Sequence, residues 1–272
     1  MTLCMAAIAD DGGEPRIVLC TDWKSESPLG TTETTDKMKW MQRPGWVVMK
    51  AGIDSHAGRM IRRFKAFFRD KEITELNASD LIEQAVYDHA EHLRERYSRM
   101  TMGMSYVALR EWATASPGLQ QVQETLREIK KVRAECSLII AGFTKTKVPI
   151  ICKIQQTVTP PWHETTFSDT FVAIGEGARI ATPSLYRRDY DADVPLEKAI
   201  YQIFEAKVLA ETMGSVGDAT SLDVFYPNRK PKSLSDKGHK YLNELLLKYG
   251  PKPRIKKVDW EPRYLCRFEL ED

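Results

Sequence analysis

Thr2 stands directly behind the initiator methionine. A second residue this small permits methionine removal, and Thr2 would then carry a free α-amine beside its own hydroxyl. That puts a nucleophile and a base on one residue, a known route to acyl transfer. Read plainly, the same threonine is the first residue of a strand or a tail, so its surroundings must decide. Two apolar runs follow, Leu3–Ala9 and Ile17–Thr21, with Asp10-Asp11-Gly12-Gly13 between them as a hairpin signal. Thr2 therefore begins a first strand and Asp22 ends a second.

The elements that must hold these residues can be read along the rest of the chain. Residues 25–36 are polar and read as a loop. Strands are expected at 37–41 and 46–49. The period then changes: Ala57, Met60, Ile61, Phe64 and Phe68 mark a helix over about 54–69, and Ile82, Ala85, Val86, His89 and Leu93 mark another over about 80–97. Met100, Met102 and Met104 read as a linker or a contact surface. A helix opens at Ser116-Pro117 and runs to about 134. Strands resume at 136–143 and 148–155, a loop covers 157–169, and a strand at 170–174 runs into Gly175-Glu176-Gly177. That glycine pair is a tight strand-to-helix turn, since no phosphate-loop lysine follows. A short helix reaches Leu185, a strong one starts at Pro195 and ends near Gly214, and a strand covers 222–226. The segment 228–257 carries ten Lys/Arg and one helix over about 235–249. A terminal strand is expected at 264–268.

Composition bounds the class. The chain has 272 residues, 42% apolar, with a net charge of +2. No strong field calls for nucleic acid or membrane as a partner. The segment at 228–257 lacks the interleaved aromatics of a stacking platform. The five cysteines, Cys4, Cys20, Cys136, Cys152 and Cys266, are scattered and form no CxxC pair. No metal site and no cofactor are expected. With no signal peptide and no long apolar run, a soluble protein of a reducing cytoplasm fits best.

Strand hairpins, two helices, strand hairpins, two helices and strands in that order imply an α+β chain. Two antiparallel sheets flanked by helix pairs make a four-layer αββα sandwich. Here the chain resembles the proteasome β-subunit family of N-terminal-nucleophile hydrolases, and within it the stand-alone bacterial branch called Anbu. The resemblance covers roughly 1–97 and 136–227. It rests on Thr2-Leu-Cys-Met, Val18-Leu-Cys-Thr-Asp22-Trp-Lys24, Asp36-Lys37-Met38, Lys50-Ala-Gly52, Phe171 through Ala178, Leu196-Glu-Lys-Ala199, Val216-Gly217 and Leu222-Asp-Val224. It implies one β-subunit-like domain at 1–227 with a helical insertion at about 98–135. Residues 228–272 would be a basic extension packed on the same domain.

The resemblance also implies roles. Thr2 matches the nucleophile, Asp22 the neighbouring carboxylate, Lys37 the buried lysine and Gly52 the oxyanion-hole residue. Lys39 lies two residues beyond Lys37 on the same side of that strand and is the rival lysine. An α-amine titrates near 8, and a nearby ammonium lowers it, so the amine would accept the hydroxyl proton. Asp22 would hold Lys37 charged and oriented. A preorganised N–H would stabilise the oxyanion by roughly 3 kcal/mol. Taken singly, Asp22 is a strand-end turn residue and Lys37 a solvated lysine. Glu176 departs from the family by standing where active subunits commonly place a serine. Ser215, Asp218 and Ser221 are alternatives for the family's Asp-x-x-Ser pair, and Lys24 replaces the usual arginine.

Two functions follow. One is a threonine peptidase or amidohydrolase in a ring-shaped or helical homo-oligomer, acting on peptide or unfolded protein, with an ATP-driven unfoldase as the implied partner class. The other is a catalytically silent scaffold subunit. Surplus apolar residues, Met60, Phe67 and Tyr87 among them, are expected to supply the contacts between copies.

Overall fold

A computed structural model describes residues 2–27, 30–32, 37–42, 45–157, 163–227, 229, 231–250 and 264–267. Its first hairpin pairs β1 (Cys4–Asp10) with β2 (Pro15–Asp22), in the register Cys4 to Thr21 through Asp10 to Pro15. Both strands are apolar almost throughout because both faces are covered. Leu3, Met5, Ala7, Val18 and Cys20 face one core, while Cys4, Ala6, Ile8, Ile17 and Leu19 face another. A strand buried on one face alternates polar with apolar; one buried on both does not.

This hairpin sits inside a six-stranded antiparallel sheet, ordered β10-β1-β2-β11-β12-β13. Its other strands are β10 (Phe171–Ile174), β11 (Thr220–Phe225), β12 (Lys232–Leu234) and β13 (Leu265–Arg267). A second antiparallel sheet of five strands runs in sequence order: β5 (Met38–Gln42), β6 (Trp46–Gly52), β7 (Cys136–Phe143), β8 (Pro149–Gln156) and β9 (His163–Ser168). A separate short pair joins β3 (Ser25–Ser27) to β4 (Gly30–Thr32).

Seven helices complete the described chain: α1 (Asp54–Phe68), α2 (Ala78–Met102), α3 (Tyr106–Ala115), α4 (Gln120–Lys131), α5 (Ala178–Arg187), α6 (Leu196–Glu211) and α7 (Asp236–Tyr249). Residues of α5, α6 and α7 share a core with one face of the six-stranded sheet. Val47, Met49, Ile139 and Ala141 of the second sheet meet Cys4, Ala6 and Leu19 of the first in a middle core. Trp46, Val48, Leu138 and Ile140 point the other way and pack with α1 and α2. The molecule is thus an α+β sandwich of two antiparallel sheets and, among the described residues, seven helices. Full burial of one such Leu, Ile or Val side chain contributes about 1.5–3 kcal/mol.

Several expectations need correcting. The polar segment read as a loop holds the β3–β4 pair, and the loop expected at 157–169 contains β9; all three strands lack the apolar alternation that betrays a strand. The methionine-rich stretch is not a linker, because α2 runs through Met102 and stops at Gly103, whose left-handed φ of 69° closes the helix. Residues 106–115 form α3, capped by Ser105, whose hydroxyl accepts from Ala108 N at 3.1 Å. The helix expected from 117 begins at Gln120. The short strand β12 was not foreseen. α3 and α4 close a small core of their own around Tyr106, Leu109, Val122 and Ile129. Met60 is buried in the α1 core rather than available for contacts, and Phe67 is half-buried against it; of the three residues named, Tyr87 alone is exposed. Residues 157 and 264 bound the described chain near 158–162 and 251–263, and the far end of the expected terminal strand, Phe268, lies outside the described residues.

His89 of α2 is buried among these elements. Burial first, then the positive charge of His163, Arg63 and His92, pushes its pKa from 6.5 down to about 4. Between those values the unfolded chain takes up a proton that the folded chain refuses, so stability falls as pH drops through that window. Urea unfolding followed from pH 7 to 4.5 should show a steeper loss in the wild type than in His89→Leu. Parallel curves would contradict this assignment.

Candidate active site

The end of β2 delivers Asp22 to the start of the chain. Its side chain is fully buried, while Thr2 and Lys37 are each 5% exposed. One oxygen, Asp22 Oδ1, accepts from Thr2 Oγ1 at 2.8 Å, from Leu3 N at 2.7 Å and from Lys37 Nζ at 2.7 Å. The other, Oδ2, accepts from Gly217 N at 3.1 Å. A buried carboxylate is tolerated only when such donors replace its lost hydration. Here four converge, one of them an ammonium.

Backbone contacts fix the threonine. Leu3 O accepts from Asp22 N at 3.2 Å, so the hairpin register that places Asp22 also places Thr2. Gly177 N donates to Thr2 O at 3.3 Å. Gly175 has φ +88°, and a Cβ there would lie 2.1 Å from Thr2 O, so no side chain fits. Lys37 arrives from the mouth of β5, where its carbonyl accepts from Lys50 N at 3.0 Å.

A second buried lysine supports the far side. Lys207 of α6 has no exposed surface, and its Nζ donates to Glu211 Oε1 at 2.5 Å and to Asp218 O at 2.6 Å. This ties the end of α6 to the loop whose Gly217 N–H reaches Asp22. The sequence offered no role for Gly217 beyond a matching dipeptide. Lys24, in place of arginine, donates to Gly214 O at 2.6 Å in the same loop.

Cys4, two residues from Thr2, does not compete as a nucleophile. Burial drives its thiol up to about 12, although Lys37 pulls the other way.

The remaining expected residues distribute as follows. Lys37, not Lys39, makes the ion pair with Asp22; Lys39 lies on β5, half-buried, opposite Val48. Gly52 ends β6 at φ +98°, and a Cβ there would meet Glu135 O at 2.7 Å and Cys136 Cα at 2.8 Å. Packing against β7 therefore already demands glycine at this position. Glu176 is exposed in the turn beside Thr2. Ser215 is buried with its hydroxyl unpartnered, two residues from Gly217. Asp218 is exposed, and its Oδ1 accepts from Ala219 N at 2.8 Å. Ser221 donates to Asp223 Oδ2 at 2.8 Å, on the neighbouring strand position rather than at Asp22. Among the described residues, no group of three His, Cys, Asp or Glu side chains could hold a metal.

A hydroxyl, an ammonium and a carboxylate are thus gathered in one buried cluster where β1 starts and β2 ends. No protein-family model and no curated protein matches this chain. Solved structures do. The Anbu protein of the helical Anbu complex from Pseudomonas aeruginosa aligns over 91% of this chain and 92% of its own, at 18% identity and a TM-score of 0.55. Anbu (ancestral β-subunit) from Yersinia bercovieri aligns over 93% and 99%, at 16% identity and a TM-score of 0.54. The likeness is one of fold: this chain has the fold of the Anbu proteins.

Asp22→Ala would leave Lys37 buried without its counter-charge and two backbone N–H groups unpaired. Loss of one partner of such a pair costs on the order of 3–5 kcal/mol. The expected outcome in chemical denaturation is a large destabilisation for Asp22→Ala. Adding Lys37→Met to it should cost far less than the sum of the single changes. Strict additivity would mean that the two groups do not interact.

Proposed function

We propose that the chain is an N-terminal threonine hydrolase, a proteasome-like peptidase that cleaves peptide or amide bonds. The observation that carries this reading is the shared oxygen Asp22 Oδ1, which binds both Thr2 Oγ1 and Lys37 Nζ in a buried setting. The reading requires removal of Met1, so that Thr2 gains an α-amine. That amine takes the Thr2 hydroxyl proton as Oγ attacks the substrate carbonyl. The tetrahedral oxyanion forms against the backbone N–H of Gly52. Its collapse breaks the C–N bond, and the amine returns the proton to the leaving nitrogen. Water then hydrolyses the Thr2 ester with the amine again as base. Lys37 keeps positive charge beside the amine, and Asp22 keeps Lys37 in place.

The three apolar cores in series support the four-layer αββα reading. The Anbu complex of Pseudomonas aeruginosa is a helical assembly, and this chain exposes Tyr87 at 66%, Met100 at 73% and Val107 at 62% on α2 and α3. Both support a homo-oligomer, ring or helical, with its sites sheltered from folded protein. Peptide or unfolded protein is then the substrate class, and an ATP-driven unfoldase the partner class. No helix of the described residues is long and apolar enough to cross a membrane. The free thiols of Cys4, Cys20, Cys136 and Cys152 support a reducing cytoplasm.

One observation favours a silent scaffold instead. In the chain that carries Met1, the Thr2 hydroxyl hydrogen is committed to Asp22 and the residue is 5% exposed. Intact mass of the natively produced protein separates the two readings; retained Met1 selects the scaffold. With Met1 removed, Thr2→Ala and Lys37→Ala should each abolish turnover of acyl-amide substrates while the fold persists. The double variant should be no worse, because members of one catalytic unit fail together. Full activity in Lys37→Ala would remove that residue from the mechanism.

Light scattering across a concentration series should find multiples of the 31.1 kDa chain. A clean monomer at tens of micromolar would count against assembly.

A further inference from the structure

Away from Thr2, a cavity of about 270 Å³ opens between α1, α2 and the segment before β7. Three arginines and two imidazoles line it. His56 and Arg59 come from α1, His89 and Arg96 from α2, and Arg133 from the segment before β7. No carboxylate lines it. Three other arginines of the same two helices are matched: Arg63 with Asp88 at 2.6 Å, Arg99 with Glu95 at 2.6 Å, and Arg94 with Glu91; Arg62, outside the cavity, is not matched among the described residues. Among the described residues, Arg96 has no such partner, and Arg59 donates only its Nε, to Ser55 O at 3.2 Å.

The imidazoles point to the same chemistry. His89 is 2% exposed, and both its ring nitrogens are buried without a hydrogen-bond partner. A neutral imidazole always carries one N–H, so a buried donor lies unsatisfied at this cavity. His56 Nδ1 accepts from Glu135 N at 3.0 Å, which leaves the proton of the neutral ring on Nε2 as a second donor. Guanidinium and imidazole N–H groups gathered without an acid are complementary to an acceptor-only, negatively charged group.

We propose that this cavity binds a small oxyanion, a phosphate or a carboxylate group, held by the guanidinium groups of Arg96 and Arg59, with the buried imidazole of His89 behind them. The group is either a free anion or a carboxylate presented by a second copy of the chain. The inference is independent of catalysis at Thr2. It does place an occupant next to Gly52, because Glu135, which His56 holds by its N–H, accepts from Ile53 N through its carbonyl at 2.8 Å.

Inorganic phosphate is the probe, titrated calorimetrically into the purified full chain at constant ionic strength against a chloride control. Saturable binding at or below about a millimolar is expected. Arg96 is exposed, so Arg96→Gln spares the fold; it should weaken binding about tenfold, the scale of one charged hydrogen bond. Arg94→Gln, on the same helix but outside the cavity, should leave binding unchanged. Sedimentation velocity distinguishes the two sources. If a second copy supplies a carboxylate, phosphate and Arg96→Gln each shift the assembly towards smaller species. If the anion is free, the assembly is unaffected while phosphate still binds. Phosphate that neither binds saturably nor alters the assembly, or an Arg96→Gln no different from Arg94→Gln, would overturn the proposal.

Discussion

Everything near the start of this chain depends on satisfying one buried carboxylate. Asp22 has no exposed surface, and its two oxygens collect a hydroxyl, an ammonium and two backbone N–H groups. Those donors come from the chain start, from the mouth of β5 and from the loop before β11. Three distant stretches are therefore brought together by the cost of leaving one negative charge dry and unpaired. The β1–β2 register and the turn at Gly175 hold the chain start, the Lys50 N–H holds the mouth of β5, and the Lys207 tether holds the loop before β11.

How far this could be read in advance differed by element, for physical reasons. Strands sealed on both faces, such as β1 and β7, announce themselves as short apolar runs. Helices with one buried stripe, such as α1, announce themselves by period. β3, β4 and β9 gave no signal because their sequences, Ser-Glu-Ser, Gly-Thr-Thr and His-Glu-Thr-Thr-Phe-Ser, are polar or small at all but one position. α3 was missed because a helix of ten residues has too few turns for its stripe to stand out, and its partner α4 was extended too far towards its start. The length of α2 was underestimated because methionine fits helix, linker and contact surface equally well.

The site shows the same divide. Thr2 could be singled out from its own chemistry, whereas Asp22, Lys37 and Gly52 were found through a resemblance, and their types alone would not have ranked them. The resemblance put Lys37 ahead of Lys39 two residues on, and it is Lys37 whose Nζ lies 2.7 Å from Asp22 Oδ1. The backbone donors Leu3 N and Gly217 N were invisible, since every residue but proline carries an N–H. Lys207 was hidden inside the apolar stripe of α6, where a lysine looks like an error until its two oxygen partners are seen.

The α3–α4 pair has a further consequence. It closes a core with Tyr106, Leu109, Val122 and Ile129 at its centre, sharing it with Met102 at the end of α2, and none of those four residues belongs to the three cores of the sandwich. An element that carries its own hydrophobic closure can drift, lengthen or be lost in evolution with little penalty to the sheets or to Asp22. The insertion is therefore where related chains would be free to diverge in outer shape while keeping the same interior.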